Sequence, residues 1–145
     1  MALRQEWYTA NDDEDQIVDD ASVGSDEKIA QSFTLGTTGD NFGFDVSRVF
    51  IKGKKVTGVS GIVGNVTIRI QGISPAGEPD GTDLATGTIA ASVFTTSDAW
   101  LEATMTSITS LQKDQQYALV IDGSTLTTIN ADDYITVRAD GSAPS

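Results

Sequence analysis

Residues 64–74 read Gly64-Asn65-Val66-Thr67-Ile68-Arg69-Ile70-Gln71-Gly72-Ile73-Ser74. Val66, Ile68 and Ile70 alternate with Thr67, Arg69 and Gln71, and glycines bracket the run. Side chains on an extended strand point to opposite faces in turn, so this alternation predicts a strand with one face in a core and the other in water.

Outward from it, the same signal recurs. Ile29, Gln31, Phe33 and Leu35 share one face, with Ala30, Ser32 and Thr34 on the other. Residues 44–56 predict a long strand or a strand with a bulge, in which Gly53 marks a bend or the close approach of a neighbouring backbone. Ile89, Ala91 and Val93 alternate with Thr88, Ala90 and Ser92; Leu101, Ala103 and Met105 alternate with Trp100, Glu102 and Thr104. Tyr117, Leu119 and Ile121 predict one further strand, and Ile135 with Val137 the last. Turn-forming residues separate these segments, most densely at 74–83, where Pro75, Gly77, Pro79 and Gly81 fall together. No window sustains a helical period with caps, and the abundant Thr, Val and Ile favour strands. About seven to nine strands spaced about 8 to 15 residues apart predict an all-β fold, an antiparallel β-sandwich that is jelly-roll-like.

At 145 residues the chain is long enough for one domain with a substantial core and short for two. Nine Lys and Arg stand against 21 Asp and Glu, a net charge of −12, so a polyanion such as nucleic acid is repelled and is not an expected partner. There is neither cysteine nor histidine, which excludes disulfides, thiolate metal sites and every His-assisted nucleophile. No apolar run reaches the length of a membrane helix, and the first residues lack the pattern of a secretory leader. The expected site of synthesis is therefore a cytoplasm, and no membrane partner is expected.

Residues 1–27 hold nine acids and one base, Arg4. Their self-repulsion predicts an extended acidic N-terminal arm, with one short strand near Trp7 or Ile17. The β-sandwich domain is expected over 28–140 and a short polar tail over 141–145.

Several segments in order carry a family resemblance. They are Ala30-Gln31-Ser32-Phe33-Thr34, the run from Val46 to Val56 with its Lys52-Gly53-Lys54-Lys55, the strand Gly64 to Ile70, the turn Gly77-Glu78-Pro79-Asp80-Gly81-Thr82-Asp83, Trp100-Leu101-Glu102, and Tyr117-Ala118-Leu119-Val120-Ile121. Together, over about residues 28–122, they resemble the jelly-roll modules, similar to carbohydrate-binding modules, of phage and viral structural proteins and of bacterial surface proteins. The resemblance implies a structural or accessory module that is not an enzyme. The expected role is that of a virion protein of a tailed virus, a capsid decoration, head-fibre or tail-associated component. Its expected partners are further copies of itself and other virion proteins such as the major capsid protein. The alternative is a carbohydrate-binding module at a cell surface or outside the cell, with glycans as partners.

Candidate contact residues follow from exposure and chemistry. If Leu101, Ala103 and Met105 face the core, Trp100 faces outward, where an indole can stack on a sugar or anchor an interface. Leu3, Trp7, Tyr8, Ile17 and Val18 are the apolar anchors of the acidic arm, and the first four complete the expected interface set. Lys52, Lys54 and Lys55 form a basic cluster, opposite in sign to the arm. Asp12, Asp13 and Asp15, and separately Glu78, Asp80 and Asp83, are closely spaced carboxylates of the kind that binds Ca²⁺. Ordinary solvation of an acidic arm and ordinary turn formation account for the two groups better than a Ca²⁺ site does, and no cofactor is expected.

Overall fold

The structure, a computed structural model, describes residues 14–18, 28–36, 43–57, 61–106 and 109–139. Among the described residues ten strands run in the order β1 (Glu14–Val18), β2 (Lys28–Thr34), β3 (Gly43–Phe44), β4 (Arg48–Val56), β5 (Asn65–Ile73), β6 (Pro79–Ala90), β7 (Ala99–Thr104), β8 (Leu111–Gln112), β9 (Gln116–Asp122) and β10 (Tyr134–Ala139). The described residues include no α-helix. One four-stranded sheet has the order β1-β10-β4-β7 and the other β2-β9-β5-β6, while β3 and β8 form a short ribbon. Every strand pair is antiparallel. The chain is thus the all-β antiparallel sandwich expected from its alternating pattern.

The alternation in 64–74 becomes β5. Val66, Ile68 and Ile70 are buried, and the first two pair with Ile89 of β6 and Ile121 of β9, respectively. The facing sheet supplies Val18, Ile51, Leu101, Ala103, Ile135 and Val137 to the same core. Burying a Val, Ile or Leu side chain contributes about 1.5–3 kcal/mol, and this shared layer joins the sheets. At Gly53 a Cβ would lie 2.6 Å from the Thr136 carbonyl and 3.3 Å from the Phe94 ring. The glycine therefore marks the close backbone approach named by the sequence; the register around it, Lys52 opposite Trp100 and Gly53 opposite Ala99, is unbroken.

Three boundaries differ from expectation. The long strand expected over 44–56 is interrupted at 45–47, which leaves Gly43–Phe44 paired with Leu111–Gln112. β6 starts at Pro79, inside the expected turn, because shifts in register after Ile70 and Gln71 let Ile73 pair with Pro79. Gly81, at φ 80°, occupies the left-handed region that the bulged strand requires. At its other end β6 stops at Ala90, and Ala91–Val93 form a 3₁₀ turn whose small and branched residues imitate strand alternation.

The expected short strand near Ile17 is β1. It pairs with β10 over its whole length, and Val18 is completely buried. The described part of the acidic segment is therefore a sheet strand. Residues 1–13 and 19–27, and the tail at 141–145, lie outside the described residues.

Candidate functional site

Strand parity gives each sheet an outer face. On the sheet β1-β10-β4-β7, the inward residues Ile51, Leu101, Ala103 and Val137 leave Arg48, Phe50, Lys52 and Lys54 of β4, and Trp100 and Glu102 of β7, pointing outward. Phe50 is opposite Glu102 and Lys52 opposite Trp100, so Phe50 and Trp100 occupy diagonal positions on adjacent strands. Such positions lie about 7–8 Å apart, within reach of aromatic side chains. Phe50 is 53% exposed and Trp100 55% exposed. Arg48, 3.8 Å from Glu102, supplies a polar rim. Two large exposed aromatic groups at diagonal positions of one sheet face form a surface suited to contact with another molecule.

The far side of the same face is closed by charge. Lys54 Nζ donates to Asp15 Oδ2 at 2.6 Å and Arg138 Nη1 donates to Asp15 Oδ1 at 2.9 Å. These bonds, the one from Lys54 foremost, lower the Asp15 pKa below the ordinary carboxylate value. Asp15, considered above as a cation ligand, is thus held by two cations that lock β1 onto the sheet. Between them, Thr136 is 2% exposed, and its hydroxyl has no hydrogen-bond partner among the described residues.

The sheet β2-β9-β5-β6 carries a different outer face. Lys28 and Thr67 flank Asp122, Ala30 and Arg69 flank Val120, and Gln71 stands beside Ala118. Arg69 Nη1 donates to Asp83 Oδ2 at 2.5 Å, Arg69 Nε to Asp122 Oδ2 at 3.2 Å, and Gln71 Nε2 to Asp83 Oδ1 at 2.8 Å. Lys28 Nζ lies 3.3 Å from Asp122 Oδ2, and the Ser124 amide donates to Asp122 Oδ1 at 3.0 Å. Asp122 is only 1% exposed. Burial raises its pKa, but the bonds from Ser124 and the Lys28 ammonium outweigh burial and bring it down to about 2. An open groove beside this network is lined by Ala30, Arg69, Glu78, Pro79 and Asp83.

The residues singled out by sequence divide accordingly. Trp100 is exposed as alternation requires. Ile17 is half-buried on the outer side of β1, opposite Thr136. Leu3, Trp7, Tyr8, Asp12 and Asp13 lie outside the described residues. Asp83 is bound to Arg69 and Gln71. Asp80 folds back to accept the Thr82 amide at 2.8 Å and packs its carboxylate against Gly72, while Glu78 is exposed at the groove. Among the described residues no three Asp or Glu side chains converge in a way that holds a metal ion. Phe50 and Asp122 were not singled out. The signal for Phe50 was its parity with buried Ile51; Asp122 lacked a local signal, because its cationic partners come from other strands.

No protein-family model matches the chain, and neither a curated protein nor a solved structure gives a match.

Proposed function

We propose that this chain is a virion structural protein, a capsid decoration, head-fibre or tail-associated component of a tailed virus. In this reading it works through contacts between its own copies and with partners such as the major capsid protein. The observation that carries the reading is the exposed Phe50–Trp100 pair on a rigid, two-sheet scaffold. Strand order supports a jelly roll: without the short β3–β8 ribbon, the remaining strands lie as first-eighth-third-sixth and second-seventh-fourth-fifth, the interleaving that two Greek keys produce. A histidine- and cysteine-free chain in which Asp15, Asp83 and Asp122 are engaged by cations and Asp80 by a backbone amide fits a role in adhesion better than one in bond-making.

The chain's position in particles tests the reading. Virions purified from the host that carries its gene are examined by peptide mass spectrometry and immunogold labelling. Stoichiometric chain on the particle surface supports the assignment; its absence from particles overturns it.

The same aromatic pair favours one second reading, a carbohydrate-binding module. An indole and a phenyl ring exposed on the same sheet face, with Arg48 and Glu102 among them, offer stacking surfaces with hydrogen-bonding neighbours. Binding on a glycan array that disappears with Trp100→Ala supports it, and a blank array removes it.

A further inference from the structure

We infer that β7 is an open, self-complementary sheet edge through which two copies of this chain pair, antiparallel about a two-fold axis at Leu101. The inference rests on the reading of the domain as a contact-making module and names the partner as a second copy.

The first observation is where the hydrogen-bonding groups of β7 point. The Met105 amide donates to the Ser47 carbonyl at 2.9 Å, and the register continues unbroken from Arg48 opposite Thr104 to Gly53 opposite Ala99. Antiparallel ladders alternate, so the odd-numbered residues of β7 bond to β4. The N–H and C=O groups of Trp100 and Glu102 therefore turn to the other side, where no described strand of the sheet bonds to them; β6 reaches that edge only beyond them, with Gly87 against the Thr104 carbonyl and Thr86 bonded to Thr106.

The second observation is how the other edges differ. β6 ends the opposite sheet, but Thr106 exchanges backbone bonds with Thr86 at 2.7 and 3.1 Å, and the Thr109 amide reaches the Leu84 carbonyl at 2.8 Å. β1 carries Glu14 and Asp15. β2 has no exposed large apolar side chain. β7, Ala99-Trp100-Leu101-Glu102-Ala103-Thr104, has one charge, no proline and no bulge, so it lacks the usual protections of a free edge. It is also the edge that bears the exposed Trp100.

Charge then selects the register. Centring the pair on Trp100 sets Asp98 against Glu102 of the second copy, and centring it on Glu102 sets two glutamates against each other. Centring it on Leu101 sets Trp100 against Glu102 twice and Asp98 against Thr104, with no acids opposed. In that register the outward groups of Trp100 and Glu102 bond to each other across the axis. The two indoles take diagonal positions, and their apolar surface leaves water.

Sedimentation and native mass spectrometry across a concentration series test the inference. The wild-type chain is expected at twice its 15.3 kDa mass, with slow hydrogen exchange at the Trp100 and Glu102 amides. Among backbone hydrogen-bonding groups Glu102→Pro removes only an outward-facing N–H, beside the exposed contact with Arg48, and is expected to give a folded monomer. Trp100→Glu opposes carboxylates across the axis and is also expected to be monomeric; mixing it with Glu102→Lys, which sets a lysine against the new glutamate, restores the dimer. Circular dichroism verifies the fold of each variant. A wild-type monomer, a dimer indifferent to both single substitutions, or fast exchange at both amides overturns the inference. A monomer that still loads onto particles refutes the pairing and keeps the virion reading. A dimer absent from particles does the reverse.

Discussion

Asp122→Asn separates the charge of the buried carboxylate from its shape. In the wild type, Asp122 accepts from Arg69 and the Ser124 amide and faces the Lys28 ammonium. Its pKa falls from 3.8 to about 2 on folding. A group whose folded pKa is depressed stabilises the fold above its unfolded pKa and loses that contribution as pH falls towards its folded pKa. With about 1.4 kcal/mol per pKa unit, the contribution at neutral pH is about 2 kcal/mol. The amide is nearly the same size but removes the counter-charge of Lys28 and one of the two of Arg69, which keeps Asp83, so Asp122→Asn should lower unfolding free energy by about 2 kcal/mol at pH 7. Urea titrations of both proteins at a series of pH values measure the difference. It should hold from neutral pH to about 5 and shrink steadily between about 5 and 2, as the wild-type carboxyl gains its proton. Other carboxylates weaken both proteins in acid and cancel in the comparison. A difference that stays constant down to pH 2, or no difference at pH 7, refutes the reasoning.

Other substitutions test separate parts of the fold. Gly53→Ala places a methyl group against the Thr136 carbonyl and the Phe94 ring and should cost about 1–3 kcal/mol in urea unfolding. Thr136→Val replaces a buried hydroxyl that has no partner among the described residues and should raise stability by about 1 kcal/mol, read as a higher melting temperature. Asp15→Asn weakens the attachment of β1 to Lys54 and Arg138. Because these groups are partly solvated, its cost should stay below about 1 kcal/mol and diminish in high salt. The lowered Asp15 pKa gives that contribution the same sign of pH dependence as Asp122, present at neutral pH and lost in acid.

β5 was legible because three β-branched residues alternate with polar ones and nothing in the run contradicts a strand. Trp100 followed from the same rule: burial of Leu101 and Ala103 forces it outward. β1 was harder to recognise, since Glu14-Asp15-Gln16 reads as self-repelling chain. Its neutralising partners, Lys54 and Arg138, stand 39 and 123 residues away, a separation that no local window spans. The start of β6 was hidden by Pro79 and Gly81, which mark a turn in any short window and here sit in a bulged strand. Phe50 escaped notice because it stands beside apolar Val49 and Ile51, and only the register with β7 shows which of the three faces water. Asp122 follows an apolar run and looks like the first residue of a turn. Its burial is decided by Lys28 and Arg69, brought alongside by β2 and β5.

The most direct measurement of the central claim, that the aromatic face of the β1-β10-β4-β7 sheet makes the contacts by which the chain acts, is particle occupancy of a Phe50→Ser/Trp100→Ser double variant. Both residues are more than half exposed in the single chain, so the variant should still fold, as circular dichroism checks. The account predicts that it is expressed normally and missing from purified particles. Wild-type occupancy by the folded double variant would contradict it.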